Sequence, residues 1–251
     1  MCGRFGFDMP KEDLERAFGV RISEPVPPSW NIAPGRPVLG VALFEGRREL
    51  MGFLWGLVPP WAERDAGHGK GKSRGFANAR SETVFEKRAF RDSARYFRCL
   101  VPASFFYEWK REGGARSPRL IRLHGGEPMA LAAIWAEPPH EGRPRPGAGR
   151  EPGPAAGSGK LAAPTLAILT TAASPAMRGV HERMPVILPQ REHAAWLDPL
   201  AREADLRPLL RPFDGALDIH AVSARVNDAS TDDPGLACPV RPPAAQGHLP
   251  L

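Results

Sequence analysis

Cysteine is scarce in this chain, with three residues (Cys2, Cys99 and Cys238) among 251. They show no metal-ligand spacing, and three cysteines cannot all pair with one another, so we expect reduced thiols in a reducing, cytosolic setting. The sequence also lacks an apolar run long enough for a transmembrane helix and the basic-then-apolar start of a secretory signal. We therefore expect neither a membrane protein nor a secreted disulfide scaffold.

Lysine is scarce as well. Of the 34 basic residues, six are Lys and 28 are Arg, and the formal net charge is +6 at pH 7. Arginine makes planar, two-pronged contacts to phosphate and stacks on bases, so an Arg-rich basic domain is consistent with nucleic-acid binding. The same composition, with its abundant Ala, Pro and Gly, also follows from a GC-rich genome. Charge alone leaves both interpretations open.

The distribution of apolar residues predicts one β-rich α+β domain. The chain is 42% hydrophobic, which is enough for a substantial core. Alternation of apolar and polar residues over 38–53 predicts a β-hairpin that turns at Glu45 and Gly46. The apolar run over 99–109 predicts a buried strand that is broken at Pro102. The run over 165–171 predicts a core strand. Residues 81–90 predict a helix, and residues 190–210 carry apolar residues in helical spacing.

Composition also predicts the domain organisation. Residues 138–164 hold Pro, Gly, Ala, Arg and Glu with almost no large apolar side chains. They predict an exposed, flexible insertion inside a single domain rather than a boundary between two domains. We therefore expect one domain over residues 1–240 and a C-terminal tail over 241–251.

Cys2 follows Met1 directly and carries the most informative chemistry. Removal of Met1 leaves a free α-amine and a thiol on one residue. The amine condenses with an aldehyde to an imine, and the thiolate then closes on the imine carbon to form a five-membered thiazolidine. Such an amine titrates near ~8 and a thiol near ~8.5, so both nucleophiles are partly available at neutral pH. The alternative is that Cys2 is merely the second residue of the reading frame.

Six short segments, in this order, carry a resemblance to a known family: MCGRF at 1–5, WNIAP at 30–34, WGLVPPW at 55–61, NARSET at 78–83, YEW at 107–109 and VHERMP at 180–185. Together they resemble the SRAP (SOS response-associated peptidase) family over residues 1 to about 240, interrupted by the insertion. The resemblance implies a β-rich fold with a partly barrel-like, antiparallel sheet core flanked by short helices.

The resemblance also implies an activity, which is covalent cross-linking of Cys2 to abasic sites in single-stranded DNA during replication and repair. The catalytic residues that it implies are Cys2, Asn78, Glu108 and His181. Glu108 lies in the apolar run 105–109, a setting that suits a carboxyl that exchanges protons. His181 can serve the sugar hydroxyl as acid and base. Asn78 can hold the reacting groups in place.

The implied DNA-binding residues are Arg4, Trp61, Arg80, Arg88, Trp109 and Thr171. Arg80 and Arg88 are eight residues apart, so a helix over 81–90 would place both on one face to grip phosphates. Arg4 would lie near Cys2, where its charge would favour the thiolate. Trp61 and Trp109 could stack on bases, although core packing is an equal alternative for a single Trp. Thr171 matches a family threonine that lies near the site.

The implied protein is a monomer without metal or organic cofactor, cytoplasmic, and associated with the bacterial nucleoid when bound to DNA. Removal of Met1 by the site itself and slow reversal of the cross-link are part of this expectation. Two alternatives remain open. Class II glutamine amidotransferases also begin with Met-Cys-Gly, but their downstream glutamine-binding motifs are not found here. A non-covalent single-strand binder would use Arg and Trp and leave Cys2 incidental.

Overall fold

The computed structural model describes residues 2–62, 75–137 and 163–240. This part of the chain contains twelve strands and four short α-helices. The strands are β1 (Phe5–Phe7), β2 (Ser29–Ile32), β3 (Pro37–Phe44), β4 (Arg47–Trp55), β5 (Asn78–Arg80), β6 (Arg98–Ala103), β7 (Phe105–Glu112), β8 (Ala115–Leu123), β9 (Met129–Ala136), β10 (Thr165–Ala172), β11 (Arg183–Pro185) and β12 (Leu217–Ala221). The helices are α1 (Lys11–Phe18), α2 (Arg91–Tyr96), α3 (His193–Leu197) and α4 (Glu203–Leu206).

The strands form two sheets. The first has the order β12-β8-β7-β1-β2, and all of its pairs are antiparallel. In the second, β10, β4, β3, β6 and β9 pair in succession and β9 pairs again with β10, so the sheet closes on itself. The short strands β5 and β11 extend the free half of β10 on its two sides. This agrees with a β-rich, partly barrel-like core, except that β10 runs parallel to β4 and β5.

The two faces of the closed sheet bury different sets of side chains, because successive residues of a strand point to opposite faces. Cys99 and Val101 of β6 pack in one apolar cluster with Cys2 and with residues of the first sheet. Leu100, between them, packs in a second cluster with helix α1 and with Trp196 of α3. The core between the two sheets therefore contains Cys2, and the helices cover the other face of the closed sheet.

The hairpin predicted over 38–53 is confirmed as β3 and β4. Its turn residues Glu45 and Gly46 have φ of 45° and 75°, which is the left-handed geometry that tight two-residue hairpins require. The strand predicted over 99–109 is in fact two strands that belong to different sheets. The chain changes sheet at Ser104, between β6 and β7, and Pro102 lies within β6 opposite Ala130.

The helix predicted over 81–90 is wrong. A single 3₁₀ turn covers Ser81–Thr83, irregular turns follow, and the α-helix begins only at Arg91. Val84 and Phe85 are both almost completely buried although they are adjacent, a pattern that tight turns accommodate better than a helix with one apolar face. The predicted insertion at 138–164 and tail at 241–251 lie almost entirely outside the described residues, so the domain limits remain predictions.

Candidate active site

Cys2 lies at the centre of the candidate site. Its side chain has no exposed surface and packs among the apolar residues between the two sheets. The side-chain amide of Asn78 donates a hydrogen bond from Nδ2 to the Cys2 carbonyl oxygen at 2.8 Å. The Asn78 Oδ1 atom is buried and accepts no hydrogen bond from the described residues. The amide therefore holds the Cys2 main chain through Nδ2, and its Oδ1 lies beside Cys2 as a second hydrogen-bonding group, an acceptor.

Asn78 reaches Cys2 because of the register of β5. Asn78 is paired with Ile168 of β10, and paired residues of adjacent strands share a face. Ile168 belongs to the apolar cluster that contains Cys2. The parallel pairing of β5 with β10, a long-range feature of the fold, thus places this amide beside the N-terminal segment.

Glu108 reaches the same side through strand alternation. On β7, Phe106 packs in the cluster of Cys2, whereas Phe105 and Tyr107 pack on the opposite face of the sheet. Glu108 follows Phe106 by two residues, so it shares the Cys2 side. Its side chain is 2% exposed. The structure thus places a buried carboxyl close enough to the thiol for its charge to act on the thiol.

Burial raises the pKa of the Cys2 thiol above its ordinary value, and the negative charge of Glu108 raises this pKa further. The backbone N–H of Arg4 acts in the opposite direction, because its hydrogen bond to the sulfur favours the thiolate. The thiol is consequently protonated in the resting site. Glu108 is thus the negative charge that acts on this thiol.

His181 lies in the turn between β10 and β11, two residues before β11 begins. The backbone N–H of Arg183 donates to Nδ1 of His181 at 2.9 Å. A nitrogen that accepts a hydrogen bond carries no proton, so this contact favours the neutral tautomer with the proton on Nε2 over the one that would donate from Nδ1 to the Arg183 carbonyl oxygen, 3.2 Å away. The turn also contributes Met177 and Val180 to the apolar cluster around Cys2, which brings this hairpin to the same part of the core.

Glu82 and Arg183 form an ion pair that the sequence analysis did not assign. The two guanidinium nitrogens of Arg183 donate to the two carboxylate oxygens of Glu82, at 2.6 and 2.9 Å. Both residues belong to segments that carry the family resemblance, yet they are 101 positions apart in sequence. Their opposite charges were visible in the sequence, but their proximity depends on the pairing of β5 and β11 with β10.

The predicted DNA-binding residues fall into separate places. The guanidinium of Arg88 stacks over the Trp61 ring, 4.3 Å from its centroid, and Arg88 is exposed. Arg80 is an exposed residue of β5, opposite Thr170. Because residues 81–90 are not a helix, Arg80 and Arg88 do not share a helix face. Arg88 is grouped instead with Trp61.

Two other predicted contact residues are bound within the protein. Arg4 donates from Nη1 to the Asn31 side chain and to the Val226 carbonyl oxygen, each at 2.7 Å. Its guanidinium therefore anchors the N-terminal segment. The group of Arg4 that acts on the pKa of the Cys2 thiol is its backbone N–H. Trp109 follows Glu108 and therefore faces the other side of β7, where its indole N–H donates to Asn227 at 2.7 Å. Both assignments to DNA remain predictions.

Thr171 is buried in β10, opposite Met184 of β11. Strand β10 separates the segment that bears Asn78 from the hairpin that bears His181. Thr171 lies on this strand, with the parity of Leu169, whose side chain packs on the face away from Cys2, and its contact with DNA remains a prediction.

A cavity of about 450 Å³ lies on another part of the surface. Its walls include Phe7, Asn31, Val38 and Asp232, and none of the four predicted catalytic residues lines it. In the described ranges, no three His, Cys, Asp or Glu side chains are clustered so that they could hold a metal ion, and no helix is both long and apolar enough to cross a membrane.

The fold and the site define a class of β-rich proteins in which a buried cysteine of the N-terminal segment lies between two sheets, one of them closed on itself, beside an amide and a carboxyl. The sequence model of the SOS response associated peptidase (SRAP) family matches residues 1–229. The chain therefore belongs to the SRAP family.

Named relatives and solved structures agree with this assignment. The chain is 33% identical over 248 residues to the abasic site processing protein YoqW of Bacillus subtilis, covering 94% of this chain and 98% of the relative. It is 26% identical over 203 residues to the abasic site processing protein YedK of Escherichia coli, covering 78% of this chain and 79% of the relative. A crystal structure of a Bacteroides thetaiotaomicron protein superposes with a TM-score of 0.72 at 22% identity, covering 96% of this chain and all of the other, and shows the same fold.

Proposed function

We propose that this protein recognises abasic sites in single-stranded DNA and bonds to them covalently through Cys2. The observation that carries the proposal is the arrangement around Cys2 in an SRAP chain, where Asn78 holds its main chain and buried Glu108 faces its thiol. Relatives that span nearly the whole chain bear the name abasic site processing protein, and their common target, an abasic sugar, offers an aldehyde when its ring opens.

The reaction needs the α-amine of Cys2, so Met1 must first be removed. The amine attacks the C1′ aldehyde of the ring-opened sugar, and loss of one water gives an imine. The sulfur then attacks the imine carbon while its proton leaves, and the ring nitrogen gains one proton. The product is a thiazolidine, and the net change is the loss of one water molecule. No cofactor takes part, since each bond is made by groups of Cys2 and of the sugar.

Three neighbouring side chains have different roles in this reaction. Glu108 takes the thiol proton and returns a proton to the nitrogen, since the thiol is protonated at rest. Asn78 fixes the Cys2 carbonyl through Nδ2, and its Oδ1 accepts a hydrogen bond from the α-amine, which aims the nitrogen lone pair at the aldehyde. His181 donates from Nε2 to the sugar hydroxyl during ring opening.

The same groups account for two slower steps. In reversal the C–S bond breaks as the ring nitrogen loses its proton and the sulfur regains one, which restores the imine; addition of one water, with Glu108 and His181 moving protons, then releases the intact aldehyde and the free α-amine of Cys2. Hydrolysis of the Met1–Cys2 peptide bond by the Cys2 thiol and its neighbours would free the α-amine without another peptidase. Both steps are parts of one proton-transfer system and need no further residues.

Single-stranded DNA is the proposed partner, and the protein acts as a monomer in the cytoplasm, at the nucleoid. Arg80 contacts a phosphate, and the Trp61–Arg88 stack offers an aromatic face and a cation to the strand. The adduct protects the abasic site from strand cleavage at replication forks.

A denaturing gel decides between this function and its alternatives. Protein lacking Met1 is mixed with a strand that carries one abasic site, with an undamaged strand, and with glutamine. We expect a shifted band only with the strand that carries the abasic site. The band should persist without borohydride treatment, and it should be absent with Cys2→Ala. Release of ammonia from glutamine without a band would favour an amidotransferase-like hydrolase. Equal retention of both strands by wild-type protein and Cys2→Ala on a native gel, with no band on the denaturing gel, would favour a non-covalent binder.

A further inference from the structure

The Glu82–Arg183 ion pair is held on several sides. Besides its two contacts with the carboxylate of Glu82, Arg183 donates from Nη2 to the carbonyl oxygen of Thr170 at 2.5 Å and to its hydroxyl at 3.2 Å. The Arg183 side chain is 18% exposed. Two-pronged, charge-assisted contacts fix both partners in one geometry, unlike a single surface contact. The Glu82 side chain is 47% exposed, so the pair is a partly exposed link that is fastened to β10 through Arg183.

The pair joins the two segments that carry the predicted catalytic residues on either side of β10. Glu82 lies in the 3₁₀ turn directly after β5, the strand of Asn78 and Arg80. Arg183 is the first residue of β11, directly after the turn that bears His181. Its contact with Thr170 fastens the pair to β10 itself. The link thus ties the start of β11, next to His181, to the turn that follows β5, the strand of Asn78.

The backbone of Arg183 acts directly on His181. The N–H of Ala173 donates to the carbonyl oxygen of Glu182, so Ala172 and Arg183 form a non-hydrogen-bonded pair of the antiparallel ladder. The Arg183 N–H therefore does not bond to β10. It donates instead to Nδ1 of His181 at 2.9 Å. The Arg183 carbonyl oxygen lies farther from the same nitrogen, at 3.2 Å.

We propose that Glu82 and Arg183 are positioning residues for His181. The ion pair holds the start of β11 against β10, and the Arg183 N–H then keeps Nδ1 as an acceptor, so that Nε2 bears the proton that His181 exchanges with the sugar. The part of this inference that concerns reaction rate rests on the proposed function. The part that concerns the tautomer of His181 does not.

The rate is tested with Glu82→Gln, which removes the charge, and Glu82→Asp, which retains it. Glu192→Gln is the matched control, because Glu192 forms a two-pronged pair with Arg211 at 2.6 and 3.3 Å elsewhere on the molecule. Each variant is assayed for its cross-linking rate and, separately, for its affinity for a strand with a tetrahydrofuran residue, which lacks the aldehyde. Thermal melting verifies that each variant is folded.

We expect Glu82→Gln to slow cross-linking about 10- to 100-fold, as for a misplaced catalytic group, with affinity unchanged within about twofold. Glu82→Asp should recover most of the rate, and Glu192→Gln should match the wild type. An unchanged rate in Glu82→Gln overturns the proposal. So does a loss of rate that an equal loss of affinity explains, because Arg183 would then act on the phosphates rather than on His181.

The tautomer is tested without DNA, by long-range ¹H–¹⁵N correlation of the histidine rings at about pH 8, where histidine side chains are ordinarily neutral. His181→Gln identifies the signals of His181. We expect the Nε2–H form in the wild type and a mixture of both tautomers in Glu82→Gln. An Nδ1–H form in the wild type, or the same tautomer in both proteins, overturns the proposal. If the wild type forms no cross-link, the proposed function fails while this spectrum still decides the inference.

Discussion

The side-chain amide of Asn78 and the main chain of Cys2 are joined by one hydrogen bond of 2.8 Å, across 76 positions of sequence. The bond couples the N-terminal segment to β5 and, through the pairing of Asn78 with Ile168, to the centre of β10. An N-terminal residue would otherwise be among the most mobile of the chain. Asn78 thus gives the N-terminal segment at Cys2 a fixed geometry that a chain end usually lacks.

Asn78→Ala should therefore slow cross-linking without weakening DNA binding. The substitution removes the donor to the Cys2 carbonyl and the acceptor beside it, so that the nucleophile loses its orientation, at a cost of about 10- to 100-fold in rate. Rates are measured on abasic single strands, and affinity on strands with a tetrahydrofuran residue. A variant that cross-links at the wild-type rate would contradict the positioning role of Asn78.

Glu108→Gln should have opposite effects on two reactions of Cys2. The Glu108 charge raises the pKa of the thiol, so its removal lowers that pKa and increases the thiolate fraction at a given pH. Alkylation of Cys2 by iodoacetamide should accelerate, while cross-linking should slow about 100-fold because the proton acceptor is lost. Exposed Cys238 is the internal reference for alkylation. Parallel changes in both reactions would exclude Glu108 as the proton carrier.

Trp61→Ala should weaken single-strand binding about 10-fold, in the range observed for the loss of one base–aromatic stack. The substitution also removes the ring on which Arg88 lies. Trp61→Phe, which retains an aromatic face, should lose less. The measurement is fluorescence anisotropy at fixed salt, with melting curves as the control for folding. If Trp61→Ala binds as the wild type does, the Trp61–Arg88 stack is a structural contact only.

His193 should make the fold sensitive to mild acid. Its ring is buried and stacks on Phe18, with 5.6 Å between ring centroids, and burial lowers its pKa below the unfolded value. The unfolded chain then binds more protons, so this contribution to stability is complete above about pH 6.5 and is lost as the pH falls toward the folded pKa.

His193→Gln tests this dependence. The free energy of unfolding is measured by denaturant titration between pH 7.5 and 5, where wild-type stability should decline more steeply than that of the variant. The difference in slope has an upper limit of about 1.4 kcal/mol per pH unit, which corresponds to one proton. Identical slopes would show that His193 is protonated equally in both states.

Sequence patterns predicted the local features of this structure best. The hairpin at Glu45 and Gly46 was predictable because its turn chemistry is short-range, and β10 because its apolar run is continuous. The segment after Arg80 was not, because adjacent Val84 and Phe85 are both buried by contacts that lie far away in sequence. Its apparent helical pattern arose from residues that pack in turns instead.

The candidate site was predictable only as a set of ordered motifs. These motifs brought Cys2, Asn78 and Glu108 into one hypothesis, and the structure places the three side by side. The link between Glu82 and Arg183 could not be predicted, since it depends on which residues of β5 and β11 stand opposite Thr170. The anchoring of Arg4 by Asn31 and the Val226 carbonyl depends on folding of the C-terminal segment, which no local pattern reports.

Intact mass spectrometry of the adduct with an abasic single strand shows whether the amine and the thiol of Cys2 form a ring. We expect one species, whose mass is that of the chain without Met1 plus the DNA minus one water, and whose cross-linked peptide is the N-terminal one with no free thiol. An adduct that retains Met1, that is joined at another residue, or that leaves the Cys2 thiol open to alkylation would contradict this expectation.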